Sequence, residues 1–332
     1  MRSQLSFIPT PFEGEHILST MARWGKLQGG RDTKQTLNRL SDNIRSFTPT
    51  NSYEPMFDDF IKLYGDCAER NKLLEQHTSL KYHSALIRYK NIYPVENLKL
   101  YNHGGVKPKY SKQVRRLSAL TTPQQSKLAF SGAWRWCQSC SKLDNLRRGT
   151  SFWHVAHQLP SAITCYQHPH QILSEGCHDC GFSYTDIRNH SAPPVDDKCP
   201  ICSAKIAPKT YALNEHTQWL LENSMRLLEQ QGTLSSPQYS HQMKNGVAGF
   251  FAKASSISRK APIYLADSLQ NEFKDWLFSN GLSVFFKQPE LAVDERVLSI
   301  DAGRYQARNW PPISVLLWLR FFGVESISNR HI

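Results

Sequence analysis

No segment of this chain stays apolar for long. Its richest run, Ile313 to Val324, is 12 residues broken by Arg320, well short of the ~20 that a helix needs to cross a bilayer. The opening residues, MRSQLSFIPTPFEGEH, lack the apolar core and small-residue step of an export signal, so a cytoplasmic protein with no membrane attachment is expected. Also missing are a GxxxxGKS/T phosphate loop, a GxSxG nucleophile elbow and a convincing carboxylate triad. Without them the common phosphate-cleaving and acyl-transfer machineries fall away, and a protein with no catalysis of its own is expected. Acid is scarce too: 28 Asp and Glu oppose 40 Lys and Arg, a net charge of +12 with neutral His. Such an excess suits a polyanionic partner.

What is present fits a globular chain. With 332 residues, 40% of them hydrophobic and 20% charged, two or three domains are expected, and collagen, coiled coil and wholesale disorder are excluded. Periodicity and punctuation divide the sequence into a helical domain over 1–130, a cysteine-rich region over 131–210 and a second helical domain over 211–332. In the first, Phe12 to Leu27 reads as a helix with Ile17, Leu18, Met21 and Trp24 on one face, ending before Gly29-Gly30. Asn51 and Glu54 resemble a capping box ahead of the stripe Met56, Phe57, Phe60, Ile61 and Tyr64. Cys67, alone beyond that stripe, is expected to be a buried, inert thiol. In the last domain, Asn214 caps a helix bearing Leu221, Met225 and Leu228. Asp267 and Gln270 open another through Leu269, Phe273, Trp276 and Leu277, closed by Asn280-Gly281. Pro311-Pro312 then starts an apolar helix, with Leu316, Leu317 and Phe321 inward and Gly323 ending it.

From Asn97 to Leu143 there are nine basic residues and no acidic one, Arg135 and Lys142 among the nine. Within this run Lys107, Lys109, Lys112, Arg115 and Arg116 are the candidates for contact with nucleic acid or a ribonucleoprotein.

Seven of the eight cysteines lie in the middle region. Cys137-Gln-Ser-Cys140 is followed by Cys165-Tyr-Gln-His168, two short knuckles joined by a connector long enough to fold back. Three thiolates and an imidazole suit tetrahedral zinc, with His170 the alternative fourth donor. Cys177-His-Asp-Cys180 and Cys199-Pro-Ile-Cys202 follow with the spacing of a zinc ribbon. Two structural zinc ions per chain are therefore expected, and a mostly α fold with small zinc-ribbon β elements. Both sets supply four protein donors, which leaves no open position for catalytic water. His154 and His157 sit three apart on an expected helix, and packing or support of a ligand is their expected role. A treble-clef nuclease places histidines near such knuckles, but the sequence sets no acid beside these two.

The order of motifs resembles the TniQ/TnsD family of transposon target-selection proteins. The likeness rests on Trp134-Arg-Trp-Cys137-Gln-Ser-Cys140, Gly149-Thr-Ser-Phe-Trp153, His157-Gln-Leu-Pro160, Cys165-Tyr-Gln-His168 and Ile172-Leu173. It extends to Phe7-Ile-Pro9, Pro11-Phe12, Glu15 and the Ser19/Arg23 pair at one end, and to Pro311-Pro312, Leu316-Leu317 and Phe321-Phe322-Gly323 at the other. The resemblance implies helix-turn-helix-like units flanking tandem zinc modules. It also implies a non-enzymatic adaptor that marks a target and recruits the AAA+ regulator TnsC. Longer TnsD-type members read a fixed attachment site through additional DNA-binding modules. Shorter TniQ-type members of CRISPR-associated transposons pair as homodimers on the RNA-processing and backbone subunits of a guide-RNA-loaded Cascade complex. The length of this chain favours the shorter type, with target DNA a further contact; the TnsD-type DNA binder is the alternative.

Overall fold

The computed structural model describes residues 8–28, 33–38, 47–49, 60, 67–85, 128–188, 190–229, 241–246, 248–249, 262–288 and 311–327. It is mostly helical, and among the described residues extended pairing is confined to isolated bridges such as Trp136 with Ser174, Thr164 with Ile172 and Lys198 with Lys205. The expected β elements are thus single bridges that pin tight turns together. The chain falls into two units: Met1–Leu80, Tyr93–Ser118 and Ser131–Tyr211 form one, and Lys81–Ile92, Ala119–Phe130 and Ala212–Ile332 the other. No helix among the described residues is long and apolar enough to cross a membrane.

In the first unit, helix α1 (Ile17–Leu27) starts later than the sequence suggests. Phe12 to Glu15 form a turn, with the Glu15 N–H donating to the Phe12 carbonyl at 2.9 Å and Gly14 at φ 73°. A side chain there would strain the left-handed backbone. The His16 imidazole caps α1 by accepting from the Leu18 N–H at 3.2 Å. Ile17, Leu18, Met21 and Trp24 are all buried, as their spacing predicts. Each such burial contributes about 1.5–3 kcal/mol. Helix α1 packs on α2 (Thr33–Asn38) and α3 (Cys67–His77). Cys67 therefore opens a helix. Of the expected stripe after Asn51, Phe60 alone is described; it is buried, with its ring 6.2 Å from Trp24. The capping box and the rest of the stripe lie outside the described residues, as do Lys107, Lys109, Lys112, Arg115 and Arg116.

The burial of His16 has a pH signature. Its imidazole is pulled down from 6.5 to about 3, first by burial and then by nearby His77. In the unfolded chain it titrates near its ordinary value, so between those two pH values only the unfolded state takes up the proton. Stability attributable to this group is therefore intact above about pH 6.5 and falls by about 1.4 kcal/mol per pH unit below it. His16→Asn retains a side-chain acceptor for the cap and removes the titration. Its unfolding free energy, measured by denaturant titration, is expected to have a slope shallower by about that amount between about pH 6 and pH 4. An identical slope would place the proton uptake elsewhere.

The second unit is built on α4 (Leu80–Ser84, from its second residue), α6 (Glu215–Glu229), α7 (Pro262–Ser279) and α8 (Pro312–Phe321); α5 (Gln138–Arg148) belongs to the first. Asn214 caps α6 as expected, its Oδ1 accepting from the His216 and Thr217 N–H groups at 3.0 Å each. The buried face of α6 is rotated from the expected one: Trp219, Leu220, Leu221, Asn223 and Leu227 are buried, while Met225 and Leu228 are half-exposed. The rotation brings Asn223 Oδ1 to the Ile327 N–H at 3.1 Å and the Trp219 indole N–H to the Glu325 carbonyl at 2.6 Å. Helix α7 begins at Pro262, so Asp267 lies inside it and the expected capping box does not form. Its C-terminal end is as expected, with Gly281 at φ 67°.

Helix α8 is buried on every side from Pro312 to Leu319 and packs on α6. Pro312 occupies a first-turn position where no N–H is needed. At the other end, Val324 N–H donates to Leu319 O and Gly323 N–H to Arg320 O, both at 3.0 Å, with Gly323 at φ 79°. This pairing is a Schellman motif, and it satisfies the carbonyls of Leu319 and Arg320 where the helix leaves the core.

Candidate metal centres

Both predicted ligand sets assemble. Cys137, Cys140, Cys165 and His168 bring one ligand atom each to within 4.8 Å of one another, and so do Cys177, Cys180, Cys199 and Cys202. In the first cluster Cys140 Sγ lies 3.5 Å from Cys165 Sγ, and His168 Nδ1 lies 3.5, 3.3 and 3.7 Å from the sulfurs of Cys137, Cys140 and Cys165. A tetrahedron with Zn–S of about 2.3 Å and Zn–N of about 2.0 Å has S···S edges near ~3.8 Å and S···N edges near ~3.5 Å. The donors stand at those spacings. In the second cluster the Cys177–Cys202 and Cys180–Cys199 sulfurs are each 3.6 Å apart. The two clusters are consistent with two zinc ions, and it is His168, not His170, that joins the first group.

The thiols themselves call for a cation. Hydrogen bonds from the Cys140 and Cys165 sulfhydryls favour the thiolate at Cys137, and the contact with Cys137 raises both Cys140 and Cys165. Unaided, one thiolate forms and the others keep their protons. A divalent ion reverses that order by binding all three as thiolates.

Local structure explains each knuckle. Cys137 is the N-cap of α5 and Cys140 sits in its first turn, so the amino end of a helix dipole faces the anionic sulfurs. Gly149, at φ 74°, closes that helix after Arg147 and Arg148. The helix was hidden in a region that reads as loop-rich. In the second cluster the residue after the second cysteine of each knuckle is left-handed, Gly181 at φ 71° after Cys180 and Ser203 at φ 60° after Cys202. The Cys199 sulfur accepts from the Ile201 N–H at 3.4 Å. Although burial opposes it, this thiol falls to about 7 through the N–H groups of Cys202 and Ile201. The two clusters differ in access: Cys137, Cys140 and Cys165 are buried, whereas Cys180 and Cys202 are exposed.

Gly176 is where the second cluster tolerates least. The Cys177 N–H donates to the Phe182 carbonyl at 2.7 Å, and a Cβ on Gly176 would drive into that same oxygen. Gly176→Ala is expected to weaken this site by about 1–3 kcal/mol through overpacking. Competition with a chromophoric chelator reads this as earlier loss of one of two zinc ions; unchanged release of both would contradict it.

Around the first cluster the structure joins motifs that are distant in sequence. Arg135, counted within the basic run, is 1% exposed. Its guanidinium donates to the carbonyls of Leu159, at 2.7 Å, and Ala162, while Gln158 accepts from its main-chain N–H at 3.0 Å. Burial lowers its pKa to about 10, which leaves it charged. It therefore straps the His157-Gln-Leu-Pro160 loop to the cysteine knuckle and lends nothing to an exterior basic surface. Lys142 is likewise engaged, pairing with Asp197 at 3.0 Å. The rings of Trp134, Trp136, Trp153 and Tyr184 pack edge-on or tilted at 5.1–6.0 Å as a single aromatic core.

Residues of the amino-terminal motif meet this core. The fully buried Glu15 carboxylate takes an ion pair from Arg23 at 2.8 Å and hydrogen bonds from the Ser19 hydroxyl and the Phe12 N–H, both at 2.9 Å. Ser19 Oγ in turn accepts from the Trp153 N–H at 3.2 Å. His154 is not helical but bridges to Glu15, and His157 sits in the 3-10 turn Ala156–Gln158. Asp144, an acid the sequence did not connect to them, accepts from His154 Nε2 at 2.8 Å. His154 is buried and Asp144 partly so, with the His154 ring against those of Phe152 and His157.

No curated protein gives a significant match to the chain. The TniQ family profile matches residues 6–172, a span that runs from the turn ahead of α1 through the whole first cluster and stops before the second. It contains the Glu15–Ser19–Arg23 lock, the Arg135 strap and all four donors of the first metal group. Proteins of this family are non-catalytic transposition factors, and membership implies a role in the selection of transposition targets. Matched over half its length by that profile, the chain belongs to the TniQ family.

Proposed function

We propose that this chain is an adaptor that couples a guide-RNA-loaded Cascade complex to the AAA+ regulator TnsC, and through it to the transposase. It docks as a homodimer on the RNA-processing and backbone subunits of Cascade and carries out no bond-breaking step. The observation that carries the reading is the TniQ match over residues 6–172 with the first cysteine cluster closed inside it. Four protein donors around each ion leave no coordination position for water, so both zinc ions hold the fold instead of performing chemistry. The helix-turn-helix-like regions on either side in sequence serve as docking modules. Lys107, Lys109, Lys112, Arg115 and Arg116 follow nucleic-acid phosphates, a contact that weakens as salt rises.

The test is affinity purification of the tagged full-length chain from cells expressing Cascade subunits, guide RNA and TnsC. Stoichiometric recovery of Cascade, with TnsC retained, is the expected result. A chain that stays free of Cascade and binds one DNA sequence tightly would replace this reading with the TnsD-type one.

A further inference from the structure

His157 lies against the first cluster without belonging to it. It is 1% exposed, and its Nε2 stands 3.4 Å from the Cys165 sulfur. Nδ1 has no hydrogen-bond partner among the described residues. A neutral imidazole carries one N–H. Placed on Nδ1, that proton would be a buried donor with no acceptor; placed on Nε2, it points at a thiolate. The ring is fixed from both sides: His154, itself anchored on Asp144, lies against it with ring centroids 4.6 Å apart, and Arg135 straps the loop on which it sits.

We infer that His157 is a positioning residue for the first metal site, donating its Nε2–H to the zinc-bound Cys165 thiolate. The hydrogen bond holds the sulfur in place and draws charge from it, which lowers its tendency to take up a proton and leave the ion. Asp144, four residues after Cys140 on α5, fixes His154 and through it the orientation of His157. The inference rests on zinc occupying this cluster, and metal analysis of the wild-type protein reports on that point separately.

The experiment uses full-length protein loaded with zinc, cobalt or cadmium. His157→Phe is expected to release the first-site zinc to a chelator about 10-fold faster or more, while His157→Gln, whose amide can donate to the same sulfur, restores most of the retention. In the cobalt form, the first site, with three sulfurs and one nitrogen, absorbs apart from the all-sulfur second site, because the band positions follow the number of sulfur ligands. The sulfur-to-metal band of the first site should move to lower energy in His157→Phe, since an unbonded thiolate gives up charge more easily, and return in His157→Gln. Wild-type release and an unmoved band in His157→Phe would overturn the inference, as would equal loss in both variants with no band shift. Should neither variant fold, the wild-type protein decides. With histidine labelled and cadmium-113 bound, a scalar coupling between the metal and the His157 Nε2 proton is expected, whereas a proton found on Nδ1 refutes the donor role.

Discussion

Cys140→Ser should leave the protein with one zinc ion instead of two and should abolish the near-ultraviolet signal of its tryptophan core. Trp136 directly precedes the first ligand, and Trp134 and Trp153 pack with it around Tyr184. Binding of structural zinc is worth about 10–16 kcal/mol in small modules, whereas whole domains are stable by about 5–15 kcal/mol. Losing the first ion therefore removes as much free energy as the unit has to spare. Cys199→Ser should also leave one zinc ion, but with more of that signal kept, because Cys180 and Cys202 are exposed and only Tyr184 of the four core rings comes from the loop this cluster closes. Metal analysis with circular dichroism on both variants separates these outcomes. If the two lose the core signal equally, the clusters form one cooperative structure. If Cys140→Ser keeps two zinc ions, the ligand assignment fails.

Removal of the Glu15 carboxylate is the other change with a large expected cost. Glu15→Ala strands the Arg23 guanidinium, whose side chain is 13% exposed, and leaves the Phe12 N–H and the Ser19 hydroxyl without their acceptor. Breaking a buried pair from one side costs about 3–5 kcal/mol. Glu15→Ala should therefore lower unfolding free energy by about 3 kcal/mol or more, and adding Arg23→Ala should cost little further, because the stranded charge is then gone. Denaturant titration of the two single variants and the double variant gives the coupling directly. Strict additivity would mean that the pair contributes nothing as a pair.

What could be read from the sequence was local. Each metal knuckle is four residues long, and zinc chemistry dictates its spacing, so the seven cysteines could be named without a structure, while the choice between His168 and His170 needed the three-dimensional grouping. Helix ends set by Asn214, Gly281 and Gly323 were legible for the same reason, since a cap depends on its immediate neighbours. The role of Arg135 is invisible in the sequence, where it is one more basic residue of a basic run, because its acceptors, the carbonyls of Leu159 and Ala162, lie 24 and 27 residues away. No local pattern joins Asp144 to His154, since one lies on a helix and the other on a bridge ten residues later. Helix α5 carries a local signal of its own, two arginines followed by glycine, but the helix is short and its start doubles as a metal knuckle, so no apolar stripe marks it. Asp267 and Gln270 failed in the opposite way: a pattern suited to a helix start lies inside α7, where Pro262 had already begun the helix.

The lock at Glu15 also fixes an order of events during synthesis. Helix α1 emerges from the ribosome well before its partner, since the Trp153 N–H that reaches its Ser19 is 134 positions further along. The Phe47 carbonyl that receives the Trp134 indole waits for 87 more residues. Until the stretch from Trp134 to His168 has been made and has captured its ion, Ser19 and the Phe47 carbonyl lack those partners, although α1 can already pack on α2 and α3, and closing so large a loop is slow. Zinc supply during translation would then govern how long this part of the unit stays incomplete and open to aggregation or chaperones, so the yield of folded protein should depend on metal present during synthesis more than on metal added afterwards.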